Sequence, residues 1–113
     1  MMIFKKVSDS PVMKNIHQVD ARMLYDKDTA QAVHLQLNPG ESLKRHITPV
    51  DVFFFVLEGT AEIEVGEEKQ VIEANTMVES PKDIVHCISN PSDSLLRVLV
   101  VKAPKPTSAT RVL

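Results

Sequence analysis

The sequence is poor in the residues that mark several protein classes. Its 113 residues include three glycines, one cysteine, one tyrosine and no tryptophan. One cysteine can form neither an internal disulfide nor a structural zinc site built from several thiolates. It suits a reducing compartment, so we expect a cytoplasmic protein. Few aromatic residues and a net charge of −2 argue against nucleic acid as a partner, because that ligand requires a basic surface and stacking platforms.

Long hydrophobic runs are also missing. The longest uninterrupted one, Val52 to Leu57, is far shorter than the roughly 20 residues of a membrane-spanning helix. The N-terminal residues Met1 to Lys6 have no apolar stretch after their lysines, so we expect neither a signal peptide nor a membrane partner. A chain of 113 residues has room for one hydrophobic core, which predicts a single domain over residues 1–113.

Turn signals recur along the chain at intervals typical of an all-β protein. They include Asn38-Pro39-Gly40, Glu58-Gly59, Gly66-Glu67 and Asn90-Pro91. Between them, residues 60–65 alternate apolar and polar side chains, which predicts a strand with one wet face. Residues 51–57 and 95–101 are apolar on both faces, which predicts strands covered on both sides. A second layer or a subunit interface would cover the outer side, and we expect a homodimer.

The two ends of the chain are less distinctive. Apolar positions within residues 16–24 fit one face of a helix, but those within 19–25 fit a strand equally well. We favour N-terminal strands in residues 1–30 because the rest of the chain is β. The tail, residues 103–113, contains two prolines and small polar residues and is predicted to be extended.

The segment from residue 40 to residue 59 resembles the first motif of the cupin superfamily. That motif has a glycine, five residues, His-x-His, three or four residues, a glutamate, six residues and a glycine. Gly40, His46 and Gly59 stand at the matching positions. The second histidine position is occupied by Thr48 and the glutamate position by Val52.

The segment from residue 75 to residue 90 resembles the second cupin motif. Pro81, His86 and Asn90 match, whereas both glycine positions are replaced, by Asn75 and Asp83. These residue types best tolerate left-handed backbone after glycine. The resemblance covers residues 31–101, the predicted core of the domain. It implies an all-β fold, an antiparallel jelly-roll or double-stranded β-helix barrel of two packed sheets.

The resemblance also implies where a metal would bind. Typical cupins hold a divalent metal with two histidines and a glutamate of the first motif and a histidine of the second. Only His46 and His86 remain here, and a threonine hydroxyl is a poor ligand for transition metals. We therefore expect at most a weakly bound divalent ion such as zinc, manganese, iron or nickel.

No nearby residue is a convincing replacement for the missing ligands. Strand alternation turns Asp51 away from the vacant glutamate position, Cys87 away from His86, and His34 towards the outside of the barrel. Glu79 cannot be placed from the pattern. Asp51 is interpreted as a solvated turn residue, Cys87 as a packing residue, and His17 as a surface residue.

Three functions stay open at this point. The favoured one is binding of a small molecule inside the barrel, with His46 and His86 as polar anchors beside Thr48, Val52 and Phe54. The alternative is a metal-dependent enzyme of the dioxygenase or isomerase type, which would use the two histidines plus water or an unidentified third ligand. The third is metal-free acid–base catalysis by one of the histidines. The sequence pattern does not identify a substrate.

Overall fold

Ten strands form two five-stranded antiparallel sheets, as seen in a computed structural model that describes residues 1–113. The first sheet has the order β1-β2-β9-β4-β7 and the second β10-β3-β8-β5-β6. The strands are β1 Asp20–Lys27, β2 Ala30–Leu37, β3 His46–Ile47, β4 Val52–Glu58, β5 Thr60–Val65, β6 Glu68–Glu73, β7 Met77–Ser80, β8 Val85–Ser89, β9 Leu96–Lys102 and β10 Arg111–Val112. This arrangement confirms the predicted all-β jelly-roll barrel.

The three strands predicted most clearly are found within one residue of their expected bounds. β5 coincides with residues 60–65, while β4 and β9 each lie one residue further along the chain than predicted. Residues 1–30 contain the whole of only one strand, β1, preceded by a single 3-10 turn at Val7–Asp9. The tail ends in β10, which pairs with β3. The chain has no helix with the length and apolar character needed to cross a membrane.

The hydrophobic core lies between the two sheets. Strand alternation in β4 points Val52, Phe54 and Val56 inward, where each is at least 96% buried (4%, 2% and 0% exposed). Phe53 and Phe55 point to the outer face, and Phe53 is 36% exposed. The same alternation in β9 buries Leu96, Val98 and Val100 among the fifteen apolar residues of the core. The barrel therefore has one apolar interior, and the inward side of residues 60–65 belongs to it.

Two predicted backbone replacements hold in the structure. Asn75 and Asp83 have φ of 67° and 64°, so both occupy the left-handed region in place of the motif glycines. Gly59 has φ of 85°, and a β-carbon built there would clash with the carbonyl oxygen of Leu95. Gly40 has φ of 81° but open space around it. The second motif thus keeps its turns without glycine.

His34 is buried although it faces away from the barrel interior. It lies on the outer face of the first sheet, as its position in β2 predicts, but it is only 1% exposed. The guanidinium of Arg97 donates from Nε to His34 Nε2 at 3.0 Å and helps to cover the ring. His34 Nδ1 is left without a hydrogen-bond partner. Cross-strand packing on the outer face, which no local pattern shows, accounts for the difference.

Candidate ligand-binding cavity

The two motif histidines meet inside the barrel because β3 and β8 are paired. His46 lies opposite His86 in this antiparallel register. Both side chains point between the sheets, where they are 7% and 2% exposed. Their Nε2 atoms are 2.9 Å apart and their rings meet edge to face. The predicted juxtaposition of these two residues is present.

Hydrogen bonding fixes the tautomer of each ring in the neutral state. His46 Nδ1 lies 2.6 Å from the carbonyl oxygen of Lys44, which can only accept, so this nitrogen carries the proton. His46 Nε2 is then an acceptor, and His86 Nε2 donates to it. His86 Nδ1 in turn accepts from Ser80 Oγ at 2.6 Å. Three side chains and one carbonyl thus form a single directed chain of hydrogen bonds.

Thr48 completes the contacts of His86 but does not complete a metal site. Its Oγ1 is 3.2 Å from His86 Nε2, and Val52 offers no donor atom at the position of the family glutamate. Nowhere in residues 1–113 do three His, Cys, Asp or Glu side chains converge as a metal-binding group. Two imidazoles and a neutral hydroxyl form a weaker donor set than transition-metal sites use. The residues present do not fit the divalent ion that the family resemblance implies.

A cavity of about 140 Å³ lies beside the histidine pair. Its walls are mainly apolar, and they include the predicted residues Thr48, Val52 and Phe54. The ring of Phe54 contacts His86 edge-on, with 5.2 Å between ring centroids. The remaining apolar wall comes from six residues, Met13, Ala21, Val33, Leu35, Leu43 and Val100. All five ligand-binding residues predicted from the sequence therefore line one cavity.

A third histidine, His17, also lines this cavity, so its interpretation as a surface residue is wrong. Its ring centroid is 4.5 Å from that of His46. The backbone N–H of Lys44 donates to His17 Nδ1 at 2.9 Å and holds the ring in place. His17 belongs to the irregular segment before β1. No local pattern signals this placement, because the contact joins residues that are far apart in the chain.

Lys102, the last residue of β9, is a charged cavity residue that the sequence interpretation missed. It follows Leu96, Val98 and Val100 at the same two-residue spacing, so it faces the interior like them. It lies opposite Val52 in the pairing of β9 with β4. Extending the strand alternation by one step beyond Val100 would have identified it.

Burial keeps the basic groups of the cavity uncharged or less readily charged. It lowers the pKa of His86 to about 3, with smaller contributions from the charges of His46, Lys102 and His17. Burial likewise lowers the pKa of His17 to about 4, and it lowers those of His46 and Lys102. No carboxylate lines the cavity. The polar lining therefore consists of three imidazoles that resist protonation, Lys102, the hydroxyl of Thr48 and the amide of Asn15, which is hydrogen-bonded to nearby backbone.

Other residues considered as replacement ligands lie elsewhere. Asp51 is exposed, and its Oδ1 accepts from the backbone N–H of Lys82 at 2.8 Å, as a turn residue would. Glu79 is exposed on β7. Cys87 is 9% exposed, and its Sγ donates to the carbonyl oxygen of Leu43 at 3.1 Å. The packing interpretation of Cys87 and the solvated interpretation of Asp51 both agree with these contacts.

A jelly-roll barrel with histidines from two motif strands meeting inside it defines a cupin. The Cupin domain family matches residues 33–102 of this chain. The chain therefore belongs to that family, and the match coincides closely with the residues 31–101 whose motifs carry the resemblance. No curated protein matches the chain.

Solved structures support the same fold. A Thermus thermophilus protein, TT1209, is 25% identical over 93% of this chain and 100% of its own, with a TM-score of 0.80. The polyketide cyclase RemF of Streptomyces resistomycificus is 17% identical over 100% of this chain and 86% of its own, with a TM-score of 0.85. An RmlC-like cupin of Shewanella frigidimarina is 16% identical, covers 93% of both chains and has a TM-score of 0.81.

Proposed function

We propose that this cupin binds a small molecule in the barrel cavity, with the paired rings of His46 and His86 forming the polar side of the site. The observation that carries the proposal is the cavity itself. It has mainly apolar walls, and the histidine pair lies at one side. Ligand sites of proteins combine such walls with a few polar groups that fix orientation. Fold similarity does not choose the ligand, because proteins of one fold serve many functions.

We further propose that the site works without a tightly bound transition metal. Protein prepared without chelators or a histidine tag should contain much less than one equivalent of zinc, manganese, iron or nickel, measured by elemental analysis. The reason is the donor set, in which Thr48 and Val52 replace two ligands of the family motif. A matched control is the double variant Thr48→His, Val52→Glu, which restores the family donors and should bind close to one equivalent.

Stoichiometric metal in the unmodified protein, lost in the variant His46→Ala, would overturn this proposal. A low metal content in both the unmodified protein and the double variant would show that the vacancy at Thr48 and Val52 is not the cause. In that case the explanation from the donor set would be wrong, even though the metal content is low.

The proposed compartment is the cytoplasm. The argument is the single cysteine, Cys87, a buried free thiol with no possible internal disulfide partner. Proteins of oxidising compartments commonly use cysteine pairs to stabilise domains of this size. The single cysteine bears on the compartment of the protein and not on its ligand.

A further inference from the structure

Lys102 is a cation on the cavity wall with no counter-ion in the chain. The protein has five ion pairs, and none of them involves Lys102. The side chain is half-buried at the end of β9. Partial removal of an ammonium group from water is unfavourable unless an anion or hydrogen-bond acceptors compensate. An unpaired lysine in this position therefore needs a separate explanation.

The groups around Lys102 favour an anion and disfavour a cation. The three cavity histidines come from the N-terminal segment, from β3 and from β8, and no acidic residue lines the cavity. The walls from β2 and β4 contribute only apolar side chains. Thr48, which follows β3, contributes a hydroxyl. A cationic ligand would find no opposite charge, whereas an anionic one would find Lys102.

His17 supplies a second donor near the same ligand. Its Nδ1 accepts the backbone N–H of Lys44, so in the neutral ring the proton is on Nε2. His46 and His86, by contrast, spend their nitrogen atoms on each other, on Ser80 and on the Lys44 carbonyl. An ammonium group and an imidazole N–H can each donate to one oxygen of a carboxylate.

We propose that the ligand of this cavity is a small monocarboxylate with a compact apolar body, and that Lys102 is its counter-ion. This inference rests on the proposed binding function and adds the chemical class of the ligand. The size follows from the volume of about 140 Å³. An apolar protein cavity of about 150 Å³ accommodates benzene. The apolar part of benzoate or of a branched aliphatic acid matches this volume, with the carboxylate at Lys102, whereas a nucleotide or disaccharide is too large.

The test compares benzoate with its neutral isostere benzamide by titration calorimetry or by NMR chemical-shift changes. The unmodified protein should bind benzoate at least tenfold more tightly than benzamide. The variant Lys102→Met keeps the length of the side chain without its charge. It should weaken benzoate binding by about 10- to 100-fold, the range of a charge-assisted contact, and leave benzamide binding almost unchanged. The matched control Lys82→Met removes an exposed lysine outside the cavity and should change neither affinity.

Folding of Lys102→Met is checked first by circular dichroism and thermal melting. Its melting temperature should not fall below that of the parent, because the substitution removes a partly buried charge. A second variant, Lys102→Arg, keeps the charge and should retain the preference for benzoate over benzamide.

The outcomes separate this inference from the function on which it rests. Equal affinity for benzoate and benzamide, or unchanged benzoate affinity in Lys102→Met, would overturn the role of Lys102 while leaving the cavity as a binding site. Failure of both compounds to bind at millimolar concentration would count against the binding function as well as the inference.

Discussion

At the scale of single residues, the cavity is organised by the protonation state of its histidines. In the directed chain from Ser80 through His86 and His46 to the Lys44 carbonyl, each ring nitrogen has one defined role. The Nε2 atoms, 2.9 Å apart, can share one proton between them. Two protonated rings would face each other with like charges and two N–H groups. The site is therefore built for neutral imidazoles.

The first prediction at this scale is a loss of stability as the pH falls below 6.5. The pKa of His86 is about 3 in the folded protein against an ordinary value of 6.5. The unfolded chain therefore binds the extra proton first, and the free energy of unfolding decreases as the pH drops through this window. Above pH 6.5 the penalty is absent. His86 alone should lower stability by about 2 kcal/mol between pH 7.5 and 5.

Urea denaturation at pH 7.5 and pH 5.0 measures this effect. The variant His86→Gln has no titrating ring at this position, so the difference between the two pH values should shrink by most of that amount. His17, which is half-buried, should contribute in the same direction but less. Equal pH dependence in the parent and the variant would show that His86 is not held neutral by the fold.

Prediction from the sequence succeeded for residues whose role is encoded locally. His46, Thr48, Val52, Phe54 and His86 were located by motif spacing and strand alternation, and all line the cavity. His17 was misplaced because it reaches the site through the path of an irregular segment, and such a path depends on tertiary contacts. Lys102 could have been predicted by extending the alternation of β9 one step beyond Val100.

At the scale of elements, the turns decide where the strands begin and end. Local composition predicted β4, β5 and β9 well, because alternation and turn residues act over a few positions. It left the N-terminal segment ambiguous between helix and strand. It also gave no indication that β10 pairs with β3, since pairing of short strands depends on what the rest of the barrel places nearby.

Gly59 and Gly40 give a matched test of turn geometry. Both have positive φ, at 85° and 81°, but only Gly59 is packed against backbone, at Leu95. Gly40→Ala should cost about 1 kcal/mol, the strain of a left-handed alanine. Gly59→Ala adds a backbone clash and should cost more than about 2 kcal/mol. Urea denaturation of the two variants checks the order, and an equal loss in both would show that the turn relaxes freely around Leu95.

At the scale of the whole molecule, the outer face of the first sheet has an apolar patch on β4, β7 and β9, bordered by Glu79 and Arg97. Phe53 is paired with Val101, and Phe55 with both Leu99 and Met77 in neighbouring strands. Phe53 is 36% exposed and Met77 50% exposed in the single chain. We propose that a second copy of the chain covers this face, because contiguous apolar surface on a monomer favours association. Residues 51–57, apolar on both faces, predict the same interface.

Light scattering at high protein concentration should give twice the mass of one chain. Phe53→Lys places a charge in the proposed interface and should shift the protein towards monomer. Val71→Lys is the matched control, because Val71 is 62% exposed on β6 of the other sheet. A parent protein that stays monomeric, or an equal effect of both substitutions, would contradict the proposed dimer.

The pairing of β10 with β3 also has a mechanical consequence. β3 has only two residues, and it is held by β8 on one side and by β10 on the other. Val112 lies opposite His46, and the N–H of Leu113 donates to the Arg45 carbonyl at 3.0 Å. A force applied at Leu113 would be carried first by these bonds, and its direction would decide whether they break in turn or together. Because Val112 pairs with His46, such a force would reach the cavity wall through a single cross-strand pair.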